Sequence, residues 1–401
     1  MTERQEDNRA LAGYRVLDLT DEKGLFCAKL LADLGADTIK IERPGGDPTR
    51  NIGPFVGNHP HPEKSLYFLY MNTNKRGITL NLNMPSGQVL FKRLVQTADI
   101  IVESFPPQFL QDLRLDYPTL KEVNPRLIMT SITGFGQTGP YRSYEMAEIV
   151  GFAMGGMMTL AGKPDKAPLV APGRQSYDFA SCHAAVGTLI ALFNRGMTGE
   201  GQHVDLSIQE SLLSAAQVAL SNYAYNETFE PRRGSDFGSA SDIFPCKDGY
   251  IFFFLASPRH WKPLVEWMGN AELKDPKWES FLFRRDHAEE LKSLIRAFTV
   301  QYTKEELYQE AQRRHISIAP LNTPWEFLEN PHIQAREFFV EVNHPEAGLL
   351  KYPGAPYKLS ETPWKVARPA PRIGEHNEEI YRSELGLTAE ELVALHGVGV
   401  I

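Results

Sequence analysis

Apolar and polar positions alternate along the first part of the chain in a β-α-β pattern. Residues Tyr14 to Thr20 (YRVLDLT) carry the short apolar run of a strand, Gly24 to Leu34 have helical spacing, and Thr38 to Glu42 (TIKIE) form a second strand, with Gly35-Ala36 stopping the helix between them. Further strands are predicted at Ile100 to Glu103 and Leu127 to Ile132, with helices near Gly87 to Gln96 and Gln108 to Asn124. Strands alternating with helices imply a mostly parallel, doubly wound sheet. Its ligands should gather where strands end: around Thr20, Glu42-Arg43, Ser104-Phe105 and Thr133-Gly134. After a helix near Gln209 to Tyr223 the pattern changes. Asp242 to Ala256 reads as a hairpin with an Asp-Gly turn at Lys247-Asp248-Gly249, and two helices near Asp286 to Thr299 and Thr303 to Arg314 complete a smaller α+β unit. From Asn330 the chain is rich in loops and proline, and Thr388-Ala389-Glu390-Glu391 has capping-box spacing before a short final helix.

The segment Pro172 to Ser207 holds the candidate chemistry. One carboxylate, Asp178, opens an otherwise apolar helix that ends in a glycine-rich turn. An acid there can cap the helix, accepting from its free N–H groups while the helix dipole favours its charge. It can also be a nucleophile, since small neighbours let an activated acyl group approach. The segment by itself leaves both readings open.

Composition narrows the function classes. The 401 residues, 42% hydrophobic, can bury a large core and suggest two or three domains. The formal net charge of −8 and the lack of a long basic run give no sign of a nucleic-acid partner or an anionic membrane surface. Cys27, Cys182 and Cys246 are odd in number and widely spaced, as expected of reduced thiols rather than disulfides or a zinc site. The histidines show no H-E-x-x-H spacing, so no metal site is expected. The start, MTERQEDNRALAG, resembles neither a signal peptide nor a transit peptide, and no apolar span is long enough for a bilayer, which makes the cytoplasm the expected location.

The turn after the first strand, Thr20-Asp21-Glu22-Lys23-Gly24, lacks G-x-G-x-x-G, which demotes a nicotinamide enzyme. Cations nevertheless stand on loops: Arg43 and Arg50 in the stretch after the second strand, Lys75 and Arg76 in an apparent tight turn at Asn72 to Gly77. These side chains suit phosphate oxygens, but the same loops are also explained as solvated turns rich in Gly, Pro and Asn.

Six segments in order resemble the class III CoA-transferase family, which includes formyl-CoA:oxalate and crotonobetainyl-CoA:carnitine CoA-transferases. They are Leu30 to Arg50, Ser65 to Leu82, Thr133 to Tyr141, the Asp178 segment, Phe244 to Ile251 and Pro369 to Ile380. The resemblance implies an α/β fold: a Rossmann-like large domain with a mostly parallel sheet (1–215, completed by 330–401), a smaller α+β domain (225–325), and two chains interlocked as rings in a homodimer. It makes Asp178 the nucleophile and Glu148 a second catalytic residue. CoA-binding positions are Arg43, Tyr67, Lys75, Leu80, Asn81, Leu82, Asn83, Ser104 and Phe105, of which Lys75 rests on its loop charge, and Gly238-Ser239 match a mobile glycine loop over the carboxylate. No permanently bound cofactor is implied. Coenzyme A arrives as the acyl-CoA substrate, with a small carboxylic acid as acceptor.

The implied reaction is ping-pong: Asp178 attacks the acyl-CoA thioester, an anhydride forms, and returning CoA thiolate makes an aspartyl-CoA thioester. Asp178 should be ionised, with N–H groups of the helix start and the glycine loop as oxyanion donors. Departures from the family pattern stand at Lys23-Gly24-Leu25, at Asp112 and Glu145 where basic residues contact CoA, and at Cys182, where a glycine is usual. An acyl-CoA racemase of the same fold is the alternative, weakened by Ala147 where racemases place a histidine; a non-catalytic acyl-CoA-binding homologue is a third reading.

Overall fold

Helices cover both faces of a parallel sheet, and the strand residues divide between two cores accordingly. In the computed structural model, which describes residues 7–236, 238, 241–255 and 257–401, the sheet runs β3-β2-β1-β4-β5-β6 with every pairing parallel. Its strands are β1 (Arg15–Leu19), β2 (Asp37–Glu42), β3 (Lys75–Thr79), β4 (Ile100–Glu103), β5 (Ile128–Thr133) and β6 (His203–Ser207). Val16, Ile100, Val102, Ile128 and Ile132 face one core, and Leu17, Ile101 and Met129 the other, as the two-residue period of a strand requires.

The helices of this part are α1 (Leu25–Asp33), α2 (Leu66–Met71), α3 (Pro85–Val95), α4 (Pro107–Asp112), α5 (Tyr117–Val123), α6 (Glu148–Met154), α7 (Met157–Leu160) and α8 (Gln175–Thr198). The helix expected across Gln108 to Asn124 is broken into α4 and α5, with Arg114 at a φ of 54° between them. Gly199 closes α8 in the left-handed conformation, where glycine carries no Cβ penalty. At the same end of α8 the buried Arg195 donates to Asp99 and to the Arg126 carbonyl, placing a cation at the negative end of the helix.

β3 corrects the sequence reading. Asn72 to Gly77 was expected to be a tight turn, yet from Lys75 the chain runs as a fully buried strand beside β2. The signal was hidden because charged side chains are buried there. Lys75 Nζ lies 2.7 Å from Asp18 of β1, with both side chains fully buried, and Arg76 pairs with Asp37, Glu379 and Glu384. A second correction concerns the proline-rich end, which contains an antiparallel hairpin, β10 (Phe339–His344) with β11 (Gly348–Pro353). Only Val342, His344 and Tyr352 of its strands are buried, so apolar alternation is faint.

Contacts divide the chain into two compact units. One holds residues 1–157, 170–220 and 336–401; the other holds 158–169 and 221–335. In the first, the C-terminal segment is tied to the sheet: Asn377 and Tyr381 bond to Thr79, and Asn81 N donates to the Val400 carbonyl at 2.7 Å. In the second, β7 (Ile243–Cys246), β8 (Gly249–Phe253) and β9 (Ile318–Pro320) form an antiparallel sheet. Cys246 pairs with Gly249, so the hairpin turns at Lys247-Asp248. Within Tyr250 to Phe254, Ile251 and Phe253 join the core of Trp278, Leu291 and Ile295, while Tyr250 and Phe254 face outward. The capping boxes at Thr303 and Thr388 are both formed.

Candidate functional site

The strand order reverses between β1 and β4, from which the connections lead to opposite edges of the sheet, and a crevice outside the carboxyl ends at such a point is where these sheets hold ligands. A cavity of about 280 Å3 occupies that place. Leu19 and Asp21 enter it from the end of β1, Ile41, Glu42 and Arg43 from the end of β2, Leu80 to Asn83 after β3, and Ser104, Phe105 and Phe109 after β4. Phe105 and Phe109 lie with ring centroids 4.5 Å apart, giving the cavity an aromatic wall.

Charge within this wall is unevenly available. Glu42 accepts from Arg50 at 2.6 and 2.7 Å, and Asp47 pairs with the buried Lys40 at 3.2 Å. Arg43 is exposed; among the described residues its guanidinium bonds only the Gly46 carbonyl, through Nε at 3.3 Å, and makes no ion pair. Its guanidinium is therefore free for an anionic ligand. The Leu80 to Asn83 stretch is fixed by Leu80 N to Glu42 O at 2.7 Å and by close packing of Gly87, where a Cβ would stand 2.0 Å from the Asn81 carbonyl oxygen.

Asp178 stands four residues into α8 and is half-buried. Arg174 ends the preceding segment as N-cap, packs its guanidinium over the Tyr67 ring at 4.7 Å, and pairs with Glu22. The Tyr67 hydroxyl donates to the Glu22 carbonyl at 3.4 Å. Burial, then the Glu148 charge, push the Asp178 carboxyl up to about 6, against the opposing pull of Arg174. The carboxylate accepts no hydrogen bond among the described residues, so it does not cap α8. Cys182, one turn further, has its thiol pushed up by partial desolvation and by Asp178, which makes it a poor thiolate.

The cap comes from α6. Glu148 Oε1 accepts from Ser176 N at 2.8 Å and Oε2 from Tyr177 N at 3.2 Å. These helix-start donors, expected to serve an oxyanion, are thus already engaged. Between cavity and carboxylate runs a single loop. Asp21 faces the cavity and is bonded to Ser104, Glu22 holds Arg174, and the Lys23 carbonyl accepts from Ser181 of α8 at 3.2 Å.

Of the residues singled out in the sequence, Arg43, Leu80, Asn81, Leu82, Asn83, Ser104 and Phe105 share the cavity. Tyr67 and Glu148 belong to the surroundings of Asp178 instead. Lys75 is a correction: its ammonium is buried at the amino end of β3 and bonded to Asp18 and Asn72, with no face left for a ligand. Gly238, at a φ of 82°, belongs to the small unit, and Ser239 lies outside the described residues. Sequence reasoning passed over Asp21, Glu22 and Arg174. Arg174 directly precedes the predicted helix, but its partner Glu22 lies 152 residues away and left no local trace.

The profile of CoA-transferase family III matches residues 11–377. Succinyl-CoA:(R)-benzylsuccinate CoA-transferase subunit BbsE of Thauera aromatica is 37% identical over 97% of each chain, and succinyl-CoA–D-citramalate CoA-transferase of Chloroflexus aurantiacus is 36% identical over 99% of each. A CaiB/BaiF family protein of Brucella suis superposes with a TM-score of 0.86 at 29% identity, covering 94% of this chain and 100% of that one. Near full-length agreement in sequence and fold, on a sheet with a ligand-sized crevice at its reversal point, makes this chain a member of CoA-transferase family III, an enzyme that transfers CoA from thioester substrates.

Proposed function

We propose that the chain moves CoA from an acyl-CoA donor to a small carboxylic acid through covalent intermediates on Asp178. The observation that carries this reading is a half-buried carboxylate without hydrogen-bond partners among the described residues, one loop away from a nucleotide-sized crevice. An Asp178 oxygen bonds to the thioester carbonyl carbon, the C–S bond breaks, and CoA leaves as thiolate. The thiolate then attacks the Asp178 carbonyl carbon, expelling the donor acid as carboxylate and leaving an aspartyl-CoA thioester. The acceptor carboxylate repeats both steps in reverse. Bonds broken and formed are of the same kinds, so the exchange is nearly isoergic.

The cavity is assigned to the nucleotide end of CoA, with the adenine against Phe105 and the apolar wall and a phosphate on Arg43. With Ser176 and Tyr177 N–H occupied, the Arg174 guanidinium, packed over the Tyr67 ring and acting on Asp178 through charge, is assigned to the developing oxyanion. Gly238 and Ser239 keep the substrate role that the family resemblance implies. The first unit is assigned as the CoA-binding domain. An interlocked homodimer is supported by α8, which turns small residues inward and exposes Phe179, Val186, Ile190, Phe193 and Met197 along one face. The cytoplasm is the location assigned, where CoA thioesters and reduced thiols coexist. A racemase needs a pair of free acid-base groups, and both Glu148 oxygens are engaged.

The test is intact-protein mass spectrometry after mixing with a panel of acyl-CoAs and trapping with hydroxylamine. A hydroxylamine-dependent modification mapped to Asp178 and absent from Asp178→Ala supports the reading. Binding of CoA without any adduct, together with deuterium exchange at the acyl α-carbon, would replace it with an isomerase.

A further inference from the structure

We propose that Glu148 is a positioning residue, which supplies from α6 the cap that α8 lacks and so fixes the turn and the charge environment in which Asp178 works. This deepens the transfer reading and rests on it for its catalytic meaning. The first four N–H groups of a helix have no partner within it. The N-cap of α8 is Arg174, whose side chain makes no capping bond, and the Asp178 N–H is taken by the Arg174 carbonyl at 2.9 Å. Of the three N–H groups between them, those of Ser176 and Tyr177 go to the two oxygens of Glu148.

The clamp is built on both sides. The Ser176 hydroxyl donates to the Glu148 carbonyl at 3.1 Å, so side chain and backbone of one residue hold the other. A Cβ on Gly151 of α6 would approach Ser176 Cβ at 3.1 Å, which explains why glycine stands at the contact. Because each carboxylate oxygen is spent on an N–H, Glu148 is not poised to exchange a proton with a substrate.

Glu148 also acts through charge. The ionisable groups bearing on Asp178 are Arg174 at the start of α8, Glu148 from α6, Tyr67 and Tyr70 from α2, and Cys182 one turn along; Glu22, from the loop after β1, is paired with Arg174. Glu148 is the anion that offsets Arg174. Removing it takes away the anion that raises Asp178 and releases the N–H donors it holds, and both changes favour the carboxylate form of Asp178. The nucleophile then becomes less basic and weaker.

The proposal is tested on the purified full chain with Glu148→Gln. The pH midpoint of Asp178 esterification by a diazo reagent, which attacks protonated carboxyls, is read by peptide mass spectrometry without any acyl-CoA. The expected result is a midpoint lowered by roughly half a unit or more, faster amide exchange in the peptide containing Ser176 and Tyr177, and, with a reactive donor, a fall in kcat at nearly constant KM. Should Glu148→Gln not fold, Glu148→Asp, too short to reach both N–H groups, carries the same readouts with a smaller shift. An unchanged or raised midpoint with unchanged amide exchange overturns the proposal. If the parent protein forms no adduct with any acyl-CoA, the transfer reading fails, while the midpoint still decides the role of Glu148.

Discussion

The Ser104 hydroxyl accepts from Asp21 N and donates to Asp21 Oδ1, both at 2.8 Å, and so ties the loop after β1 to the loop after β4. These loops form the two banks of the crevice at the point where the sheet reverses. A side chain with one donor and two lone pairs closes this bridge in both directions. The loop it anchors continues through Glu22 to Arg174, so the bridge governs cavity and carboxylate together.

Ser104→Ala removes both bonds and should cost about 1 kcal/mol of stability. CoA affinity should fall several-fold, because the Asp21 backbone no longer has a fixed position. Calorimetric titration with CoA and denaturant unfolding separate the effects. Weakened binding with full stability loss, and no change in the mass of any adduct formed, is the expected combination.

Two cations that look alike in the sequence should behave oppositely. Arg43→Ala, on an exposed side chain without an ion pair among the described residues, should leave the melting temperature unchanged and weaken CoA binding roughly tenfold, the loss of one charge-assisted contact. Lys75→Met takes away the nearer of the two buried cations that neutralise Asp18 and should cost about 3–5 kcal/mol. Equal effects of the two substitutions on CoA affinity at matched stability would return Lys75 to the binding site.

What was legible in the sequence is what local pattern encodes. The apolar runs of β1, β2, β4 and β5 sit within a residue or so of their predicted positions, and the strand ends after β1, β2 and β4 do line the cavity. β3 was invisible because the neighbours that neutralise Lys75 and Arg76 lie on other elements, so a buried strand wore the composition of a turn. Capping stayed open for Asp178 as the acid within the helix, whereas the acid that caps arrives from 28 residues upstream. Partnerships of this kind have no period and no spacing for a sequence to display.

Glu103, at the end of β4, is a buried carboxyl without an ion pair among the described residues, bonded by Phe105 N at 2.8 Å. Burial is the main cause that pushes it up to about 7. A carboxyl raised in the folded state binds its proton more tightly there than in the unfolded chain, so its stabilising contribution is full at acid pH and is lost as pH rises through about 7. Glu103→Gln should therefore exceed the parent in stability at pH 8, by on the order of 1–3 kcal/mol, with the gap closing below pH 5. Denaturant midpoints at the two pH values check this, and a gap independent of pH would place the proton elsewhere.

The outer face of α8 predicts self-association. Ile190 and Phe193, 62% and 72% exposed, lie on the same stripe with no partner core around them. Ile190→Glu with Phe193→Glu places two charges on that stripe and should shift the protein from dimer toward monomer in light scattering at micromolar concentration. A parent that is monomeric at that concentration removes the dimer from the reading.

Asp178 predicts the pH dependence of the first chemical step. Only the anion attacks a thioester, and burial with Glu148 holds the carboxyl near 6, so the adduct-forming rate should climb through that pH and flatten above 7. At pH 5 about a tenth of the plateau rate should remain, since one unit below a midpoint leaves about a tenth of the anion. Arg174 pulls the other way, and its removal also frees the Glu22 charge, so Arg174→Gln should move the midpoint upward. Rapid-quench mass spectrometry of the adduct at a series of pH values gives both midpoints. A midpoint near 4 in the parent would mean that Asp178 is solvated as the reaction begins, and a downward shift in Arg174→Gln would mean that the guanidinium does not face the nucleophile.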